Sequence, residues 1–275
     1  MITALSIQIP EKTKGLRGFA DRLMGDRVSV ETRKARGVTL RHVIYTSYSG
    51  EVRLEKTDEA VGAQRDRILC SDKLLFPHNS GYKRFMSTAF SSRLCTNLVL
   101  SVLMRMQNSM KLKIGIYDPS AYCADFLLPV LERCADVMVV TSCFEPYFYT
   151  ADRALSELGA TAMITANRAE LETRDLIIAP QRIVEPLLVS PKAVVLTVGK
   201  PVEVLRGSVF YKYRFKMPNG FDAIKPPELD EEYFCSALYT LGAQYELGSI
   251  VPLSAGGNKG ERDVKTLADL LDNGI

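Results

Sequence analysis

The chain is poor in the residues that most often mark a metal centre or a nucleophilic triad. Only two histidines occur among its 275 residues, His42 and His78. Neither stands in a metal-ligand spacing, which argues against the common structural zinc patterns. No two of the six cysteines (Cys70, Cys95, Cys123, Cys134, Cys143 and Cys235) form a Cys-x-x-Cys pair. Several of them fall in apolar stretches and read as free, buried thiols of a reducing compartment. No apolar run approaches the ~20 residues that span a bilayer. The most apolar helix candidate, Leu94 to Met106, is shorter and is interrupted by Asn97 and Arg105, so it reads as a buried helix. Residues 1–10 lack the basic start of a secretory signal. These absences predict a cytoplasmic protein with no membrane partner.

What is present is ordinary for a globular chain. Hydrophobic residues make up 47% and charged residues 24%, enough to build a sizeable core and to exclude general disorder. The net charge of +3 is unevenly split. Residues 1–113 carry 20 Lys and Arg against 10 Asp and Glu, net +10, and residues 114–275 carry 15 against 22, net −7. Two arrangements fit this asymmetry: the halves face each other within one chain, or they face a second copy in a homo-oligomer. A third use is a basic surface for nucleic acid. Lys12, Lys14, Arg17, Arg22, Arg27, Arg33, Lys34, Arg36 and Arg41 are concentrated near Tyr45 and Tyr48, but no RNA- or DNA-binding signature accompanies them, which argues against a nucleic-acid partner.

Three regions are expected. Residues 1–92 read as a mixed α/β region, with a strand over Ile2 to Ile9. A hairpin is expected between His42–Tyr48 and Glu51–Thr57 around Ser49-Gly50. Gly15 to Gly37 reads as loop and short helix. Residues 93–206 begin with the apolar helix, capped by Ser91-Ser92 and ending near Gln107. They continue with short apolar runs at Ile114–Tyr117, Val137–Val140, Ala162–Thr165, Leu176–Ala179 and Val194–Val198, separated by helical patterns over Ser120–Cys134 and Tyr149–Leu158. Short continuous apolar runs alternating with helices mark strands buried on both faces of a parallel sheet. The fold class predicted is therefore α/β, an open doubly wound parallel sheet of the Rossmann kind in the second half, with a smaller N-terminal α/β region. Residues 207–275 form an extension packed back on the first region, with a strand over Val209–Phe215. A helix capped by Asp230 runs to Tyr245, a flexible loop covers Ser254–Gly260, and a last helix runs from Glu261 to Leu271.

Three features carry a resemblance: the helix feeding the first strand, Leu158-Gly159-Ala160 ending the second helix, and Arg174-Asp175-Leu176-Ile177-Ile178 entering the fourth strand. Over Lys111 to Lys200 the chain resembles the NAD(P)-binding domain of dehydrogenases of the shikimate dehydrogenase or glutamyl-tRNA reductase kind. The resemblance implies a Rossmann-like fold and a nicotinamide dinucleotide. The phosphate fingerprint of that fold is missing, however. Where Gly-x-Gly-x-x-Gly would let the backbone approach a pyrophosphate, the chain reads Asp118-Pro119-Ser120-Ala121-Tyr122-Cys123. Asp118 and Pro119 suit the N-cap and first position of a helix, and a capping carboxylate occupies amides that would hold phosphate. The second strand ends in Thr141-Ser142-Cys143, with no acid for a ribose. NAD and NADP are therefore disfavoured as cofactors.

Ligands of open α/β sheets bind outside the carboxyl ends of the strands. Those ends carry Asp118 and Ser120, Ser142, Arg168, Gln181 with Arg182, and Lys200. Arginines grip carboxylate or phosphate bidentately and lysine adds a point charge, so this set is the candidate site for a small anionic ligand. Lys259 in the loop Gly256–Gly260 lacks the Gly-Lys-Ser/Thr of a phosphate loop. Cys123 and Cys143 have no histidine beside them in sequence and read as structural thiols. The sequence therefore predicts a small-anion or nucleotide-related binding or regulatory module. An NAD(P)-dependent oxidoreductase with an atypical phosphate loop is the alternative, and a basic nucleic-acid-associated protein the second alternative.

Overall fold

The computed structural model describes residues 1–10 and 25–274. Its strands are β1 (Ile2–Gln8), β2 (Arg27–Ala35), β3 (Val38–Thr46), β4 (Lys113–Tyr117), β5 (Asp136–Val140), β6 (Met163–Thr165), β7 (Leu176–Ala179), β8 (Val194–Thr197), β9 (Ser208–Arg214), β10 (Ser254–Gly257) and β11 (Gly260–Asp263). Its main helices are α1 (Ala89–Arg105), α2 (Leu127–Leu131), α3 (Phe144–Leu158), α4 (Glu231–Leu241) and α5 (Val264–Asp272). The chain divides into two compact units, Met1–Ser87 with Met217–Leu247 and Thr88–Lys216 with Gly248–Ile275. The expected boundary at 92/93 falls inside α1. The expected extension over 207–275 is shared, with β9 and the last residues joining the second unit and α4 joining the first.

The first unit holds a three-stranded sheet, β1-β3-β2, with β1 parallel to β3 and β2 antiparallel to it. The strand at the N-terminus forms as expected, but the hairpin is a different one. β3 pairs with β2 through the two-residue turn Arg36-Gly37, both residues at positive φ (48° and 78°). That backbone matches the right-handed strand twist. Leu54–Thr57 is a turn of 3-10 helix, not a strand. The loop before it is held by Asp26, which accepts from the backbone amides of Tyr48 and Ser49, from Tyr45 Oη and from Lys56 Nζ. Of the segment expected as loop and short helix, residues 15–24 lie outside the described residues. Leu5, Val43, Tyr45, Val61, Ile68 and Tyr82 make this unit's core. α4 packs near β1 and starts at Asp230, whose Oδ1 accepts from the amides of Glu232 and Tyr233.

The second unit holds an eight-stranded sheet ordered β11-β10-β9-β8-β7-β4-β5-β6. β4 to β9 are mutually parallel. Counted from β4 as the first, their order is 3-2-1-4-5-6, that of a doubly wound dinucleotide-binding sheet. The five apolar runs of the sequence are its first five strands. Ile114–Tyr117 of β4, Val137–Val140 of β5, and all of β7 and β8 are buried, as strands covered on both faces must be. The edge strand β6 is partly exposed. α1 begins at Ala89 rather than after Ser91-Ser92. Ser92 lies within it and donates to the carbonyls of Thr88 and Pro180. Asn97, near its middle, donates to the carbonyls of Gly248 and Ile250, which makes a buried amide tolerable.

Two other expectations are corrected. Ser120–Cys134 is not one helix, because residues 119–123 form a loop and α2 covers only Leu127–Leu131. The expected flexible loop Ser254–Gly260 is instead the antiparallel pair β10 and β11, joined through Asn258-Lys259. Asn258 fixes that turn, exchanging main-chain and side-chain hydrogen bonds with Val209 and donating to the Gly207 carbonyl.

Candidate functional site

The crevice where strand order reverses lies between β4 and β7, and ligands of such sheets approach it from the carboxyl ends. Asp118 follows β4 directly and is fully buried. Its Oδ1 accepts from the Tyr122 amide at 3.1 Å, and its Oδ2 from the Cys123 amide at 2.8 Å and from Tyr147 Oη at 2.9 Å. The carboxylate is thus a hub that closes the loop on itself, and α3 supplies its hydroxyl partner. Burial, and then the charge of Asp118, push the Tyr147 phenol well above its ordinary range. Burial, and then Asp118, raise the Cys123 thiol to about 12. Ala121 takes a left-handed backbone (φ 52°) as the loop tightens, a conformation few residues other than glycine adopt.

The side chains that follow Asp118 also close the crevice. Ser120 Oγ donates to Gln181 Oε1 at 3.1 Å, bridging the loops after β4 and β7. Thr197 Oγ1 donates to the Gln181 carbonyl. Arg182 Nε donates to the Lys200 carbonyl at 2.8 Å, tying the loop after β7 to the loop after β8. The sequence-derived set is therefore divided. Asp118 is buried structure, Ser120 and Gln181 seal the strand-order reversal, and Arg182 and Lys200 sit together beyond it. Only Ser142 and Arg168 line a common cleft.

That cleft has a volume of about 260 Å³ and lies over the ends of β4, β5 and β6. Tyr117, Pro119, Val140, Thr141, Ser142, Ala166, Arg168 and Glu185 line it. Thr141 is committed to the protein, accepting from the Cys143 amide and donating to the Cys143 carbonyl. The Ser142 hydroxyl has no hydrogen-bond partner among the described residues. Arg168 pairs with Glu185, and both side chains are about half exposed. Glu185 Oε2 also stands 3.5 Å from Tyr117 Oη. Burial, and then Glu185, raise the Tyr117 phenol above its ordinary value.

Sequence reasoning missed Glu185, Tyr117 and Tyr147. Glu185 lies four residues past Gln181 in a loop without helix or strand, so no periodicity marks its direction. Tyr147 is separated from Asp118 by α2 and β5. No group of three or more His, Cys, Asp or Glu residues suited to a metal occurs among the described residues.

No family model matches the chain, and no curated protein does. Solved structures match slightly. A Δ1-pyrroline-2-carboxylate reductase from Thermococcus litoralis, in complex with NADH and L-proline, is 14% identical over 70% of this chain and 68% of its own, with a TM-score of 0.31. The L-tryptophan dehydrogenase from Nostoc punctiforme is 10% identical over 99% of this chain and 89% of its own, with a TM-score of 0.34. A probable ornithine cyclodeaminase from Bordetella pertussis Tohama I is 13% identical over 65% of this chain and 50% of its own, with a TM-score of 0.30.

Of the described cations in the basic run of the first half, Arg33 and Arg36 are held in ion pairs. Lys12, Lys14, Arg17 and Arg22 lie outside the described residues. Arg33 pairs with Glu31, and Arg36 with Glu246 while donating to the Asn219 carbonyl. Tyr45, which lies close to this basic run in sequence, is fully buried with its hydroxyl on Asp26. No helix among the described residues is long and apolar enough to cross a membrane.

Proposed function

We propose that the parallel-sheet unit is a binding or regulatory module for a small anionic ligand of the nucleotide or phosphosugar class. The ligand is held in the cleft over β4, β5 and β6. The observation that carries this reading is the meeting of Arg168 and Ser142 in one cleft, from loops that follow different strands. Arg168 supplies a planar, permanently charged donor set suited to phosphate or carboxylate. Ser142 supplies a hydroxyl that no group among the described residues uses. Pro119, Val140 and Ala166 give apolar wall for a sugar or base.

The strand order 3-2-1-4-5-6 favours a second reading, an NAD(P)-dependent oxidoreductase of the kind the sequence resembles. The residues at the strand-order reversal do not fit the dinucleotide. Its pyrophosphate needs free amides and glycine in the loop after β4. Here the amides of Tyr122 and Cys123 are taken by a buried carboxylate, and Ser120 and Gln181 bridge the crevice. The cleft reading is therefore preferred.

Isothermal calorimetry of the full chain at low salt tests it, with AMP, ribose 5-phosphate and NADP as probes. A monophosphate that binds wild type and is weakened at least tenfold by Arg168→Ala, with the fold retained, is the expected result. Binding of NADP that survives Arg168→Ala but is lost on mutating the loop after β4 would replace this reading with the oxidoreductase.

A further inference from the structure

Resting on the cleft reading above, we propose that Glu185 is a built-in competitor for the ligand's anionic group. Its carboxylate occupies the anion position on Arg168 and is displaced by a phosphomonoester dianion. Two observations lead there. Arg168 and Glu185 come from loops after different strands, yet both line the same cleft and pair across it. The oxygen that Arg168 grips, Oε2, is also the one nearest Tyr117 Oη, at 3.5 Å. A single carboxylate oxygen thus stands between the cleft's cation and its phenol, where an oxygen of a bound anion would stand.

The pair is also built to open. Both side chains are about half exposed, 47% and 54%, and solvated ion pairs hold weakly. The backbone on either side is anchored, because Ile183 and Leu187 are buried in the core under the sheet. The exchange therefore needs only a turn of the Glu185 side chain and no movement of the loop. A phosphomonoester carries nearly two charges and three acceptor oxygens against the single charge of a carboxylate. It outcompetes Glu185 at a guanidinium, and its further oxygens reach for the idle Ser142 hydroxyl. A neutral sugar or base has nothing with which to displace Glu185, so the latch selects for the phosphate.

The experiment is calorimetric titration of the full chain with AMP and with ribose 5-phosphate, in wild type, Glu185→Gln and Arg168→Gln, each checked for fold by circular dichroism. Glu185→Gln keeps the side chain's size and removes the competing charge. It is expected to tighten binding by about threefold, and Arg168→Gln to weaken it at least tenfold. A gain for both probes assigns the phosphate as the displacing group, and a gain for AMP alone assigns the nucleotide. Unchanged or weaker binding by Glu185→Gln, with Arg168→Gln still impaired, would overturn the latch and leave the cleft reading standing. Absence of binding by all three proteins would overturn both.

Discussion

Tyr147 Oη donates a 2.9 Å hydrogen bond to Oδ2 of Asp118 at the buried end of β4, and the same carboxylate holds the amides of Tyr122 and Cys123. The place where a dinucleotide-binding sheet presents its phosphate loop is thus filled by a self-satisfied polar knot. A hydrogen bond to a charged group contributes about 1.5–3 kcal/mol. Tyr147→Phe is expected to destabilise the second unit by about 2 kcal/mol. Asp118→Ala, which strands three donors at once, should cost about 3 kcal/mol or more. Urea unfolding followed by circular dichroism reads both, and an unchanged midpoint for Tyr147→Phe would remove the knot as a stabilising element.

Two glycines of the β10–β11 hairpin separate crowding from backbone conformation. A Cβ at Gly257 would stand 1.7 Å from the Val209 carbonyl oxygen, whereas one at Gly260 meets nothing within 4 Å. Gly260 nevertheless sits at φ 85°. Gly260→Ala is expected to cost about 1 kcal/mol from backbone strain alone. Gly257→Ala must move the β9 backbone and should cost about 3 kcal/mol. Paired denaturation curves showing equal losses would contradict the register between β9 and β10.

His42 provides a pH dependence in the first unit. It is buried beside Ser6, with Glu228 at 3.5 Å, and its Nδ1 has no hydrogen-bond partner among the described residues. Burial is the main force lowering its pKa below 6.5, with Glu228 opposing and Arg33 assisting. A histidine lowered in the folded state binds its proton more readily when unfolded. Its contribution is therefore complete above pH 6.5 and is lost as pH falls from there toward the lowered value. The slope is at most about 1.4 kcal/mol per pH unit. Urea midpoints at pH 7.5 and 5.5 should fall less in His42→Gln than in wild type, and parallel falls would exclude His42 as the source.

The six thiols should divide sharply in reactivity. Cys143 is exposed, Cys123 is partly covered, and Cys70, Cys95, Cys134 and Cys235 are buried. Desolvation raises the thiol of Cys70 to about 11 and those of Cys95, Cys134 and Cys235 to about 12. Brief labelling of the native protein with iodoacetamide at pH 7.5, mapped by mass spectrometry, is expected to mark Cys143 first. Equal labelling of Cys95 would mean that α1 is not buried as described.

Much of the second unit was legible because its strands are buried on both faces. Val137–Val140, Leu176–Ala179 and Val194–Thr197 are continuous apolar runs that admit little else between helices. The Gly159 and Asp230 helix boundaries were equally plain, since a left-handed C-cap and a carboxylate N-cap are local devices. The first-unit hairpin was misplaced because Ser49-Gly50 looks like a turn, while the actual turn, Arg36-Gly37, sits in a run of charge. The helix expected over Ser120–Cys134 failed for a different reason. Its apolar spacing is real, but Asp118 draws the amides of Tyr122 and Cys123 out of any helix through a contact completed by Tyr147.

The α/β class, the parallel strands, the lack of a glycine phosphate loop and the gathering of cations after the strands are all written in the order of residues along the chain. Each of these is a property of neighbouring residues or of position along a strand. Which of those cations share a cleft depends on how the folded sheet aims its loops. Arg168 meets Ser142 and Glu185 while Arg182 turns to the Lys200 carbonyl. Loop side chains have no periodicity to fix their direction, and their partners come from strands brought together by sheet order.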